Sequence, residues 1–454
     1  MQNGQKFKLL RQFPLKWALC WVLLPNLAVM AMWAIGGPAM SAAIMACGLL
    51  AILVSHSRGK LLRAATMVLI FFVMIIEYTS LTFNLGFNNL LGSVVFLKEM
   101  DPTVAPEYFV GGSLLLVTLL LAVYFAPRTA QLVSREQKLM ALAAVSLMAT
   151  MDTVATAGTR GSYKASAPAG TKIDSAIIQN HIAPATVSAR NLVVIIVEAW
   201  GVPSNAEDKA VFAQAWNPAR WAGRYDVRQG MSAYYGSTTN AELREWCGVW
   251  ADHFSFDFDK AHCLPEKFRQ AGFRTVAMHS FDGAFFDRTE WYPKLGFEKR
   301  EFSYDLNKAG ARPCGGVYPG VCDRDVPRLI GDYLRGSPEK RNLVYWLTVN
   351  GHLPVVPDQR LGTDNCNLGT AEWRRDFGLL CRNYQIHAQI ADAVTAEIMK
   401  PDFPEADILI VGDHMPPFFT RAIRTRFDSA HVPWVYLRSK QALERARART
   451  AKPI

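Results

Sequence analysis

The chain has 454 residues, half of them hydrophobic, and a formal net charge of +10. A mean hydropathy of +0.07 is too high for a soluble enzyme of this length. The basic residues gather at the flanks of apolar runs, so membrane topology accounts for the charge and no nucleic-acid partner is expected.

Five apolar runs, near the roughly 20 residues that cross a bilayer, fill the first third of the chain. They are Trp17 to Ile35, Ala39 to Val54, Leu61 to Phe83, Gly111 to Ala126 and Leu139 to Ala157. Lys6, Lys8, Arg11 and Lys16 precede the first run; Arg58, Lys60 and Arg63 separate the second from the third; Arg128, Arg135 and Lys138 separate the fourth from the fifth. The Gly36 to Pro38 turn carries no basic residue, and the loop from Asn84 to Val110 carries only Lys98. The positive-inside rule then puts the N-terminus in the cytoplasm, and the odd number of spans carries everything after Ala157 across the membrane. The first run is long and a second follows at once, which reads as an anchor rather than a cleaved signal peptide. Within the spans the notable ionisable residues are Glu77 and Asp152, too few for a transport path. The expected location is a bacterial cytoplasmic membrane, with the rest of the chain facing the periplasm or exterior.

Cysteine usage agrees with export. Cys20 and Cys47 lie in spans, whereas Cys247, Cys263, Cys314, Cys322, Cys366 and Cys381 all follow them. An even number there points to disulfides, with neighbour-to-neighbour pairing as the simplest expectation. Zinc is the rival, but no CxxC pair supports it.

Residues 158–189, rich in Ala, Ser, Thr, Gly and Pro, read as a linker. Apolar β-rich runs then alternate with helical stretches: "NLVVIIVEAW", "FRTVAMHS", "NLVYWLTVNGH", "ADILIVGDH" and "VPWVYL". Runs apolar on both faces predict a largely parallel sheet covered on both sides. The expected organisation is a membrane domain over 1–157, a linker, an extracytoplasmic domain over 190–438 and a solvated basic tail over 439–454. The fold class is thus a multi-span α-helical membrane domain followed by an α/β sandwich.

Ligands of such sheets bind beyond the carboxyl ends of the strands. Four of the runs end there in ionisable residues: Glu198, His279, His352 and Asp413 with His414. Each alone is more often a loop residue or a helix cap, but together they converge on one edge. Carboxylate, imidazole and hydroxyl oxygen suit zinc or manganese. The stretch "YGSTTNAELREWC" places Thr238 and Thr239 before an amphipathic helix pattern, where Thr239 or Asn240 can cap the helix. A hydroxyl there can also meet an anion at the helix start, and a metal would help deprotonate it.

Together, "NLVVIIVEAW", "GSTTNAE", "HSFDGAFFDR", "NGHLP" and "VGDH" resemble the alkaline phosphatase and sulfatase superfamily. Within it the likeness is to membrane-anchored lipoteichoic acid synthases and related phosphoglycerol and phosphoethanolamine transferases. The resemblance implies that Glu198, Thr238, Asp413 and His414 bind one divalent metal ion, Mn2+ or Zn2+, and that Thr238 is the nucleophile. It also implies that His279, Arg288, Phe286 and His352 line the phosphate and head-group pocket, with His279 or His352 as acid or base. The synthases carry tryptophan where Phe286 stands. No CxPxR sulfatase motif occupies the Thr238 region; "CLPEK" at Cys263 lacks the arginine. His431 in "SAHVPW" is a further histidine, more simply a loop residue before a strand.

These readings imply a two-step transfer of a phospholipid head group, through a phosphothreonine, to a hydroxyl of an envelope glycan or lipid. Phosphoglycerol is slightly preferred over phosphoethanolamine as the moving group. A hydrolase of the same mechanism and a non-catalytic lipid-binding regulator are the rivals. The loop "NNLLGSVVFLKEM" either shapes donor access or only joins two spans. The sequence leaves the oligomeric state open.

Overall fold

The computed structural model describes residues 13–33, 37–83, 106–156, 167–251, 253–418 and 421–450. They fall into two compact units, divided between residues 156 and 167.

Among the described residues of the N-terminal unit, four helical segments are long and apolar enough to cross a membrane: Leu15–Trp33, Lys60–Leu81, Val110–Arg128 and Arg135–Thr156. The second apolar run forms a helix over Ser41–Val54, 14 residues, about 21 Å at 1.5 Å per residue. Buried Asp152 accepts from Trp33 Nε1 at 2.9 Å and from the Met40 amide at 2.7 Å. Buried Arg63 donates to the Thr129 carbonyl at 2.7 Å. These ionisable groups are therefore spent on helix-to-loop ties, the usual solution for a charge inside a membrane bundle. Most of the loop 84–110 lies outside the described residues.

The second unit is built on a seven-stranded sheet in the order β2-β7-β6-β1-β5-β3-β4. The strands are β1 (Asn191–Val197), β2 (Tyr225–Ala233), β3 (Phe273–His279), β4 (Lys299–Glu301), β5 (Arg341–Leu347), β6 (Ala406–Gly412) and β7 (His431–Ser439). β1 runs parallel to β5 and β6, and β3 parallel to β5 and β4; β7 is antiparallel to both β6 and β2. Every residue of β1 and β6 is buried, as strands covered on both faces require. All five predicted runs are strands. β2 and β4 are additional: β2 is an edge strand whose side chains are largely part-exposed, and β4 has three residues.

Three disulfides join Cys247 to Cys263, Cys314 to Cys322 and Cys366 to Cys381, the neighbour pairing expected. Part of the expected linker is instead core: Ala176, Ile177, Ile182 and Val187 are buried in the same apolar cluster as β1. The tail after β7 is a helix over Lys440–Thr450.

Candidate active site

The β1–β6 register pairs Val197 with Gly412, so the next residues, Glu198 and Asp413, emerge side by side at the carboxyl edge. The Asp413 amide donates to the Val197 carbonyl, 3.3 Å, extending the ladder. Gly412 is needed for this approach: a Cβ there would lie 2.1 Å from the Trp200 carbonyl oxygen. Asp413 Oδ1 accepts from the amides of Ala199, 2.8 Å, and His414, 2.6 Å, which fixes the carboxylate and turns Oδ2 towards the site. Ala199 takes φ +54 to make this turn, a strained conformation for a residue with a Cβ.

Thr238 arrives from the far side, as the first residue of a helix over Thr238–Cys247. The helix is capped by Ser237, whose amide donates to Asn240 Oδ1 at 2.9 Å. Neither Thr239 nor Asn240 is therefore the cap, as one sequence reading had it. Thr239 is buried with its hydroxyl 3.1 Å from Ser237 Oγ. Thr238 Oγ1 instead lies 3.1 Å from Glu198 Oε2, 3.0 Å from Asp413 Oδ2 and 3.4 Å from His414 Nε2.

One hydroxyl proton cannot serve three acceptors. Glu198 Oε1 is buried and accepts no hydrogen bond, and burial, with the Asp413 carboxylate beside it, pushes the Glu198 carboxyl well above the usual range. His414 Nδ1 faces the Met415 carbonyl at 2.9 Å, so Nδ1 carries the proton and Nε2 offers its lone pair. Ligand atoms of Glu198, Asp413 and His414 all lie within 4.8 Å of one another. This donor set, two carboxylates, one imidazole and one hydroxyl with a surplus of lone pairs, fits a divalent cation.

His279 closes β3, and its Nδ1 lies 3.1 Å from the Leu347 carbonyl; burial, then the Arg288 charge, holds its imidazole well below the ordinary value. His352 lies in the loop after β5, brought by burial to about 4, with Tyr318 against its ring at 4.4 Å between centroids. Arg288 is buried and directs Nε and Nη2 to Glu242 Oε2 at 3.1 and 2.9 Å, and Nη1 to the Phe285 carbonyl at 3.1 Å. Its fork, expected to bind phosphate, is thus engaged largely by Glu242. Phe286, at φ +60, sits under the Arg288 guanidinium at 5.4 Å. His431 is bound to Asp428 at 3.0 Å, and Cys263 is held in a disulfide, which leaves "CLPEK" no sulfatase-type role.

Several supports escaped the sequence reading. Thr348 Oγ1 accepts the Glu198 amide at 2.9 Å, and His387 Nε2 donates to the Glu198 carbonyl at 3.0 Å. Buried Arg244 clamps the carbonyls of Gly412 and Asp413 at 2.9 and 3.3 Å. Glu242 gathers Arg288, Tyr292 and Tyr345. Glu242, Arg244 and Glu245 are charged residues of the same helix, all three buried, and nothing local in the sequence marks that burial.

A family model described as Sulfatase matches residues 190–429, more than half of the chain. No curated protein sequence matches. Among solved structures, the chain is similar to the lipoteichoic acid synthase LtaP from Listeria monocytogenes, at 13% identity over 60% of this chain and 69% of that one, TM-score 0.43. It is also similar to the phosphoglycerol transferase GacH from Streptococcus pyogenes, at 15% over 55% and 69%, TM-score 0.40. A third is the integral membrane lipooligosaccharide phosphoethanolamine transferase A from Neisseria meningitidis, at 14% over 93% and 89%, TM-score 0.43. With a matched domain that contains the two strand ends and the threonine described above, the chain belongs to the sulfatase family.

Proposed function

We propose that the protein is a membrane-bound transferase that moves a phospholipid head group to a hydroxyl of an envelope glycan or lipid. The observation that carries the reading is Thr238: a half-buried hydroxyl at a helix start, within 3.4 Å of two carboxylates and an imidazole nitrogen. Such a hydroxyl is poised to lose its proton and attack phosphorus.

Glu198, Asp413, His414 and Thr238 would hold one divalent cation, manganese or zinc, which when bound lowers the threonine's proton affinity and neutralises phosphoryl charge. Thr238 Oγ forms a bond to the head-group phosphorus while the bond to the diacylglycerol oxygen breaks, leaving a phosphothreonine. His279 and His352, both kept neutral by burial, serve proton transfer as bases: one takes up the proton that Thr238 loses and passes it to the diacylglycerol oxygen as it leaves, and in the second displacement the other takes the proton of the acceptor hydroxyl and returns it to Thr238 Oγ as its bond to phosphorus breaks. Arg288, its charge balanced by Glu242, borders the pocket as one end of a buried ion pair, and Phe286 packs the head-group side. Phosphoglycerol is preferred over phosphoethanolamine because "HSFDGAFFDR" resembles the synthase pocket.

The same proposal counts the Ser41–Val54 helix as a fifth, short span, which local bilayer thinning can accommodate. An odd count puts the catalytic unit outside the cytoplasm, and the three disulfides favour that oxidising side.

Intact mass of the full-length protein after incubation with mixed phosphatidylglycerol and phosphatidylethanolamine tests the reading. A Thr238-dependent adduct of phosphoglycerol mass is expected; a phosphoethanolamine adduct reverses the donor preference. Hydrolysis of donor with no adduct and no acceptor dependence replaces the transferase with a hydrolase.

A further inference from the structure

The basic C-terminal tail has no part in this chemistry, yet it is not simply solvated. One side of its helix, at Gln441, Ala442 and Arg445, closes a cavity of about 730 Å3 at the amino edge of the sheet. Arg190 enters from the residue before β1, Arg341 is the first residue of β5, and Arg445 comes from the tail helix. β1 has seven residues, so at about 3.3 Å per residue this edge lies roughly 20 Å from Glu198.

Three arginines and one carboxylate, Glu405, line this cavity, and Glu405 is paired with Arg445. Arg190 donates to the Pro338 carbonyl and Arg341 to the Pro184 carbonyl, 3.5 Å, while Arg341 lies flat on the Phe273 ring at 3.9 Å. Among the described residues neither has a carboxylate partner. Burial, and after it the neighbouring Arg190 charge, lowers the Arg341 guanidinium below its usual value. Three segments remote in sequence thus bring like charges together with an uncompensated excess. A guanidinium backed by an aromatic ring, with carbonyls holding its orientation, is prepared for an oxyanion. The cavity lies within the roughly 300–1,000 Å3 of small-ligand sites, and Leu334, Pro338 and Pro404 give it an apolar wall.

We propose that this cavity is a second, non-catalytic site that binds an oxyanion, of sugar-phosphate size, through Arg190 and Arg341. The test is hydrogen exchange on the full-length protein in detergent, with glucose 1-phosphate, inorganic phosphate or glucose as probes. Glucose 1-phosphate should protect peptides over 184–192 and 438–450. The Arg190→Gln/Arg341→Gln variant should lose that protection or require at least about tenfold more ligand, the weight of one charge-assisted hydrogen bond. Its circular dichroism, and its lipid turnover to within twofold, should match wild type. Protection by inorganic phosphate also supports the site. Protection by glucose alone, protection unchanged in the double variant, or protection confined to 235–247 and 411–416 overturns it. The protection readouts do not require Thr238 chemistry, so the site stands or falls independently of the transferase reading.

Discussion

Thr238 Oγ1 and Asp413 Oδ2 stand 3.0 Å apart across 175 residues of sequence. Thr239 next door is turned into the interior. Thr238→Ala should lower turnover by about four orders of magnitude or more and remove the covalent adduct. Thr239→Val should keep both within a few-fold, at a cost of about 1 kcal/mol for the lost buried hydrogen bond. Rapid-quench kinetics with mass detection distinguishes them; an adduct that survives in Thr238→Ala would remove the nucleophile.

Metal retention should follow a graded order. Glu198→Gln and Asp413→Asn each remove a charged donor, and metal content after dialysis should drop by more than the roughly 10–100-fold that a supporting residue costs. Thr348→Val, which deletes only the acceptor of the Glu198 amide, should weaken binding about tenfold. Equal metal content in all three, measured by plasma mass spectrometry, would show that these residues hold no ion.

Glu242 bears the charge that balances Arg288 in a fully buried pair. Glu242→Gln leaves that guanidinium uncompensated, which costs about 3–5 kcal/mol. At about 2–4 °C per kcal/mol for a domain of this size, calorimetry should show a fall of roughly 10 °C. A transition within 1 °C of wild type would mean that Arg288 has another counter-charge.

Acid should weaken the catalytic unit through its buried histidines, His253 and His352 among them. Burial brings His253 to about 3 and His352 to about 4 from the ordinary 6.5. The unfolded chain therefore binds more protons between these values and 6.5, so their stabilisation is complete above pH 6.5 and disappears as pH falls towards 4 and 3. Asp323, raised by burial to about 6, acts oppositely, since the folded state takes up its proton first. His253→Phe, which keeps ring contact with Phe254 and Phe286, should flatten the fall in melting temperature between pH 6.5 and 4. An unchanged slope would assign acid lability elsewhere.

Topology is testable directly. Protease added to spheroplasts should remove the catalytic unit, whereas inverted membrane vesicles should protect it. The reverse pattern would mean that only an even number of helices crosses, with Ser41–Val54 lying within one leaflet.

The sheet was readable where burial is two-sided. β1, β3, β5, β6 and β7 read as apolar runs, whereas β2, with Arg228, Gln229 and Gly230 on a part-exposed edge, carries no such signal. The strand-end residues Glu198, Asp413 and His414 were legible because parallel topology sends successive carboxyl ends to one edge. Their supports were not, because His387 reaches the Glu198 carbonyl across 189 residues, and a helical histidine at that spacing has no local signature. Arg288 was found by motif, but its engagement by Glu242 depends on two helices meeting and on Tyr345 arriving from β5.

The disulfides have one more consequence. Each joins cysteines separated by only 16, 8 or 15 residues, and the three loops follow one another without overlap. As the chain emerges from its N-terminal end, every thiol meets its proper mate before the next pair is exposed. Oxidation in order of appearance therefore yields the correct connectivity, and the unit can mature without its crosslinks having to be reshuffled.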